Sequence, residues 1–537
     1  MLHVTRDTQF MSTAFENLVC ENPNGMNQND AQINYEKMPL TYKKCVKKNI
    51  FINFFSFSSM ESILWHDYEA GGTDATQVPP MQYAAIRTDV DMNIIDEPTD
   101  ILCKLHGDKI PHPVAIKITG ISPMNCLENG LAEPLFFRVI HKEMSVAKTC
   151  TTGYNSMGYD ETISRFGFWR SLLPVYSREF TNGNTRWDLL PVTAAFSSLK
   201  VKGLIWPDVD GKRSLRLEEV AKANGIEQEH AHDALCDVRA LIDWSKKLKS
   251  ASLMLWNELY SCRRKNMIIP RTRKGTVVLH CKAGYGHSKK YVEPLLMLGG
   301  LSSDKNKAIG IKLRDVDALR ELWKVNSSTV RERLYMKTDE LDSLGFKRPP
   351  IEIFAVNKTV AIMTLPWVAQ QPDLELPNDI NIEELNVLSK KIMGNQLFID
   401  KLIESVDVDS FDDKTDIPAD IALYSSGFPS KKDQNNITLL SGRSIKLAFS
   451  SPLEWDNSVY HTLWVIARCK LFINNGVLTD KEITKWELYR LHSITTKIVN
   501  KKHDFVNLDS AISALEMADL PAELEKDYRG FLKKIEK

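Results

Sequence analysis

An acidic pair sits inside an apolar run. Asp67 and Glu69 stand two apart in Ile63-Leu64-Trp65-His66-Asp67-Tyr68-Glu69, a stretch that reads as a strand. Side chains alternate faces along a strand, so both carboxylates project to the same side. Any fold for this chain must place two like charges together on one face of an otherwise apolar element. They repel unless they are protonated or share a cation, and oxygen-rich clusters of this kind suit Mg²⁺ or Mn²⁺. By itself an Asp-x-Glu pair is more often solvated than functional.

Two further elements carry acidic groups. In Gly153-Tyr154-Asn155-Ser156-Met157-Gly158-Tyr159-Asp160 a strand end turns into a helix that begins near Asp160. The bland reading of Asp160 is a helix N-cap. In His232-Asp233-Ala234-Leu235-Cys236-Asp237 the better cap is Asp233. That leaves His232, and Asp237 one turn into the helix, without a capping explanation.

The 537 residues suggest about three to five domains, and 43% hydrophobic with 26% charged residues is ordinary globular composition. Residues 1–59 are rich in Asn and Lys and lack periodicity. They are expected to be a disordered leader or the product of a non-native upstream start, the second being preferred. From 61 to about 250 the pattern is mixed α/β: strands at 63–69 and 82–88, a loop-to-helix transition at 113–120, and helices at 162–172, 214–224 and 234–248. In the last of these Leu235, Val238, Leu241, Ile242 and Leu248 share a face. Short β runs dominate from 260 to 365, at 275–281, 308–313 and 350–356. Beyond 380 the period is helical, at 382–393, 395–405, 458–474, 479–499 and 509–517.

Nine scattered cysteines, with no Cys-x-x-Cys pair, argue against a zinc ribbon or a disulfide framework and fit a reducing cytosol. No apolar run reaches the roughly 18 residues of a membrane span. The formal charge is zero, from 69 basic and 69 acidic residues, which taken whole argues against a nucleic-acid binder. Divided along the chain it says otherwise. Residues 61–250 hold 21 Lys+Arg against 26 Asp+Glu, a net of −5, and residues 260–360 hold 21 against 10, a net of +11. The run Arg263, Arg264, Lys265, Arg271, Arg273 and Lys274 fits a backbone-binding channel or a solvated surface. No helix-turn-helix or zinc pattern suggests a transcription factor.

The order Asp-x-Glu, Asp, His-x-x-x-x-Asp resembles the DnaQ-like 3′→5′ exonuclease superfamily, in the subclass with four acidic residues and a histidine. The stretches Trp65–Glu69, 84–89, 118–121, 186–190 and 222–227, then 331–335, 356–358, Leu423-Tyr424 and Gly427-Phe428, are similar to the bacterial exodeoxyribonuclease I family. The resemblance runs from about residue 61 to the C-terminus. It implies a ribonuclease H-like α/β exonuclease domain at 61–252, with a mixed sheet and flanking helices. A small SH3-like β-barrel domain with helical insertions would follow at 253–408, and a C-terminal α-helical domain at 409–537.

The implied activity is 3′→5′ degradation of single-stranded DNA to 5′-mononucleotides in DNA repair. Asp67, Glu69, Asp160 and Asp237 would hold two Mg²⁺ ions, with Mn²⁺ as the alternative, and His232 would be general base toward water. Glu69 and Arg216 would contact substrate, as would Arg165, with Tyr176 and Phe180 stacking on bases. Phe180 stands where the family has a tryptophan-like position, and around 283–293 the chain is shorter than the family's pattern. The acidic tail of single-stranded DNA-binding protein is the implied partner, with Arg331, Arg333, Lys337 and Lys358 as candidate contacts. The protein is expected to be a cytoplasmic monomer that does not engage membranes. Two other readings are an exoribonuclease on the same fold and a non-catalytic single-stranded DNA-binding scaffold.

Overall fold

The computed structural model describes residues 60–227, 233–407, 417–450, 452–473, 475–496, 499–500, 503–504 and 506–536. The expectations for residues 1–59 and for His232 lie outside the described residues.

The acidic pair lies on the middle strand of a five-stranded mixed sheet ordered β3-β2-β1-β4-β5. These strands are β1 (Ser62–Ala70), β2 (Pro80–Thr88), β3 (Thr99–Leu102), β4 (Thr149–Gly153) and β5 (Thr185–Asp188). β1 is antiparallel to β2 and parallel to β4. Alternation sorts its side chains onto two cores. Leu64 and Tyr68 pack with Phe136, Phe137, Ile163 and Phe168, from helices α2 (Glu133–Met144) and α3 (Asp160–Arg170), which follow α1 (Pro113–Thr119) in the chain. Those two helices pack closely because residue 167 is glycine: a Cβ there would lie 2.1 Å from the Phe137 ring. Ile63 and Trp65 face the other way, toward Val238, Leu241 and Ile242. Asp67 and Glu69 share their parity, so both point to the side covered by the helix Ala234–Ala251.

A second, antiparallel sheet contains β6 (Val277–Cys281), β7 (Val292–Gly300), β8 (Lys307–Lys312), β9 (Ile351–Ala355) and β10 (Ala361–Thr364) in the order β9-β8-β7-β6-β10. Three helices, Val316–Lys324, Ser327–Tyr335 and Thr338–Ser343, are inserted between β8 and β9. The fold class therefore matches the expectation: a mixed-sheet exonuclease fold, an antiparallel SH3-like sheet and a helical C-terminal region. One hydrophobic core joins the two sheets, through Trp187, Val192 and Phe196 on one side and Leu279, Val292 and Leu296 on the other.

The C-terminal helices pack on the first sheet's helices. Lys470, in Ser458–Phe472, reaches Asp108 and Glu133 at 2.5 Å each, and Arg170 holds the other oxygen of Glu133 at 2.6 Å. Arg138 donates to Leu440 O and Ser441 O, and Tyr528 Oη donates to Pro111 O.

Several helix boundaries differ from expectation, and two show a local cause. The helix expected at 214–224 starts only at Leu217, because residues up to Arg216 are extended (φ −66°, ψ 138° at Arg216). The helix expected at 479–499 spans Asp480–Thr495, and Val499 belongs to a short strand. Thr479 and Glu482 form a capping box at its start, whereas the β-branched pair Thr495-Thr496 favours extended backbone at its end. The seven described cysteines are free thiols. Among the described residues no helix is long and apolar enough to cross a membrane.

Candidate active site

Asp67, Glu69 and Asp237 each offer a carboxylate oxygen, and these atoms lie within 4.8 Å of one another. The geometry follows from local rules. Strand parity sets Asp67 and Glu69 side by side. Asp233 caps the helix Ala234–Ala251 by accepting from Leu235 N at 3.1 Å and Cys236 N at 3.0 Å. That fixes the first turn, and Asp237 falls on its sheet-facing side.

Asp160 begins α3, but it is not the cap: Tyr159 holds that position and makes no side-chain cap bond. Asp160 is buried, and its charge is felt at Asp67. Burial pushes the Asp67 carboxyl well above the usual range, and the charges of Asp160 and Asp237 add to it. Burial, then Asp67 and Asp237, pushes Glu69 up to about 9. Burial, helped by Asp188 and Glu161, pushes Asp160 up to about 8. Four carboxylates so placed cannot all ionise without a cation, and their all-oxygen donor set fits hard divalent ions.

One residue was not singled out from sequence as part of the site. Asp188, buried at the end of β5, accepts from Asn155 N (2.9 Å), Met157 N (3.1 Å) and Leu190 N (3.0 Å). It ties down the loop between β4 and Asp160, whose first turn needs Asn155 in the left-handed region at φ 59°. The only sequence signal was its place in Arg186-Trp187-Asp188-Leu189-Leu190, before a helix start. Behind Asp160, Glu161 is clamped by Arg178 (3.0 and 2.6 Å) and Arg186 (3.1 Å). His66, on the opposite face of β1, is pushed down to about 4 by burial and is neutral there.

The remaining candidates are spread around this cluster. Arg216 is exposed, 3.9 Å from Glu219, and borders a cavity of about 780 Å³ that Asp237 also lines. The Nε and Nη2 of Arg165 are held by Glu179 at 2.8 and 3.0 Å, and its guanidinium lies 5.5 Å from the Tyr176 ring. Its fork is thus held by a carboxylate. Tyr176 is 39% and Phe180 69% exposed, each directly before a short turn, Ser177–Glu179 and Thr181–Gly183.

The four candidate tail contacts stand in different local settings. Arg331 donates to Ser405 O and Glu404 O, Arg333 lies 3.8 Å over the Phe346 ring, and Lys337 precedes the helix Thr338–Ser343. Lys358 neighbours Arg165 and Arg186, and burial, then those two charges, lowers its pKa. Within the basic run, Arg271 is structural: it is buried, and bonds Ile362 O at 2.8 Å and Glu258 at 2.9 Å.

A mixed sheet whose middle strand carries Asp-x-Glu, joined by carboxylates from two helix starts, defines a divalent-metal-dependent exonuclease domain of ribonuclease H-like fold. Comparison with known proteins narrows this. The family described as Exonuclease matches residues 64–244, and that described as Exonuclease I SH3-like domain matches residues 263–405. Exodeoxyribonuclease I of Haemophilus influenzae is 32% identical over 451 residues, covering 82% of this chain and 92% of that protein. The crystal structure of E. coli Exonuclease I in complex with a dA16 oligonucleotide has a TM-score of 0.77 at 28% identity, covering 89% of this chain and 100% of that one. A solved ExoI/SSB-Ct complex has a TM-score of 0.73 at 27% identity, covering 89% of this chain and 98% of that one. The chain belongs to the exodeoxyribonuclease I family.

Proposed function

We propose that this protein is a Mg²⁺-dependent 3′→5′ exonuclease that removes 5′-mononucleotides from single-stranded DNA in DNA repair. The observation that carries this reading is the convergence of Asp67, Glu69 and Asp237 oxygens within 4.8 Å on the exonuclease sheet. The relatives' DNA complex supports the substrate class. All-carboxylate donors favour Mg²⁺ or Mn²⁺ over softer ions.

Asp67, Glu69, Asp160 and Asp237 would hold two ions. When bound, these supply an acidified water and charge stabilisation for the leaving oxygen. His232 would take the water's proton. The water oxygen bonds to phosphorus, the bond from phosphorus to the 3′-oxygen breaks, and that oxygen regains a proton. Arg216 would hold the phosphate at the cluster, while Tyr176 and Phe180 would stack on bases without reading sequence. We assign 61–252 to the exonuclease domain, 253–408 to the SH3-like domain and 409–537 to the helical domain. The acidic tail of single-stranded DNA-binding protein is the proposed protein partner, and the protein is proposed to act as a monomer in the cytoplasm.

The test is to incubate the protein and Mg²⁺ with 3′- and 5′-labelled DNA and RNA strands. Mononucleotide release from DNA 3′ ends is expected. Release from RNA in preference to DNA would favour the exoribonuclease, and binding without release would favour the scaffold.

A further inference from the structure

A chain of ion pairs runs from the start of α3 toward the surface. Asp160 opens α3, and Glu161 beside it is held by Arg178 and Arg186. Arg186 bridges Glu161 at 3.1 Å and Glu179 at 2.9 Å. Glu179 in turn takes Nε and Nη2 of Arg165 at 2.8 and 3.0 Å. The chain ends where three parts of the molecule meet. Arg186 donates to Asn357 O, between β9 and β10, at 3.3 Å, and Lys358 follows. From the C-terminal helical region the Tyr424 ring lies 5.7 Å from that of Phe166, the neighbour of Arg165 on α3.

This junction has the chemistry of a backbone-binding station. Four cations, Arg165, Arg178, Arg186 and Lys358, meet two carboxylates, Glu161 and Glu179. The exposed rings of Tyr176 and Tyr424 stand beside them. Cations among exposed aromatic rings are what sequence-tolerant binding of a single strand uses. Yet the guanidinium nearest those rings is already engaged. A carboxylate fills the side of Arg165 that carries Nε and Nη2, in the paired geometry that phosphate oxygens also adopt. Arg186 fixes Glu179 from behind, and the Glu179 side chain is only 8% exposed. It is a held occupant, not a loose surface contact.

We propose that Glu179 is a built-in stand-in for phosphate, a positioning residue that keeps Arg165 from gripping the strand. The proposal rests on the exonuclease reading above, in which the strand advances one nucleotide per cleavage. A guanidinium free to clamp each passing phosphate would tighten binding and slow that advance. With its charge met inside the protein, Arg165 leaves the grip to other cations such as Arg216.

Binding of a labelled single-stranded oligonucleotide in EDTA, read by fluorescence anisotropy as KCl rises, tests this without cleavage. Arg165→Met should leave the slope of log K against log salt within about 0.3 of wild type, because a charge already paired in the protein neutralises no phosphate. Glu179→Gln should steepen the slope by roughly 0.7, the contribution of one phosphate on a single strand, and the double variant should return to the wild-type slope. With Mg²⁺, Glu179→Gln should lower KM and kcat together, each by about twofold or more, as expected when movement of the strand becomes limiting. Thermal unfolding shows which variants fold. Should Glu179→Gln not fold, Arg165→Met alone decides. A slope that Arg165→Met makes shallower by roughly 0.7 would overturn the proposal, since Arg165 would then already hold a phosphate. An unchanged slope in folded Glu179→Gln would overturn it too. So would a raised KM in that variant, which would make Glu179 an organiser of Arg165 for the strand. Wild-type protein that binds no strand would overturn the exonuclease reading itself, and the role of Glu179 with it.

Discussion

At the residue scale, the carboxylates repel one another in a way that protons or a bound cation relieve. Burial and mutual repulsion raise Asp67, Glu69 and Asp160 together. Removing one charge should therefore separate activity from stability. Asp67→Asn is expected to lower nucleotide release by about 100-fold or more, the scale of losing one electrostatic group at a reaction centre. In chelator the same variant should unfold no earlier than wild type, and gain up to about 1 kcal/mol. Calorimetry in EDTA checks this, and a clear loss of stability would contradict the repulsion argument. Asp188 is expected to act by position. Asp188→Asn should lower kcat by about 10- to 100-fold, as outer-shell losses do, with KM for the strand little changed, and should weaken Mn²⁺ binding read by electron paramagnetic resonance. The two residues also differ in how legible they were. Asp67 and Glu69 could be paired from strand alternation alone, a local rule. Asp188 matters only because β5 lies beside β4, and no spacing within the chain announces that neighbour.

At the element scale, the start of α3 is what brings Asp160 to β1, and a buried ion network fixes it. Burial would raise the Glu161 carboxyl, but Arg178 and then Arg186 outweigh it and hold it at about 2. A depressed carboxyl adds stability that is full above its unfolded value of about 4.3 and is lost as pH falls through the folded value. Wild type should thus lose stability steeply between about pH 4.5 and pH 2. Glu161→Gln should flatten that slope and, near pH 7, cost about 3–5 kcal/mol by leaving Arg178 and Arg186 buried without their counter-charge. Denaturant midpoints at several pH values measure both effects. Most elements were legible because apolar periodicity marks them, as with Ala234–Ala251 on its Val238, Leu241 and Ile242 face. Boundaries were less so where capping decides them. The stretch before Leu217 has helical composition, yet it runs extended, and Tyr154 Oη donates to Leu215 O.

At the scale of the whole molecule, the net charge of zero conceals a division of labour. The exonuclease segment, which holds the carboxylate cluster, is net acidic, and the segment at 260–360 carries an excess of eleven basic charges. The structure reduces the number available to DNA, since Arg271 is buried and Arg263 is paired with Glu61 beside the Tyr260 ring. Other basic groups remain at the surface, among them Arg216, Arg273 and Lys274. If about four to six of them neutralise phosphates, log K for a single strand should fall with log salt at a slope of about −3 to −4. Fluorescence anisotropy of a labelled oligonucleotide in EDTA, with rising KCl, gives that slope directly. Arg216→Ala should make it shallower by roughly 0.7, the contribution of one phosphate on a single strand, while Arg271→Met should leave the slope unchanged and lower stability instead. The contrast decides whether the basic excess is one undivided surface or, as burial and pairing suggest, an exposed set and a structural set that sequence alone could not tell apart. A slope near zero would remove the electrostatic path to the carboxylates altogether.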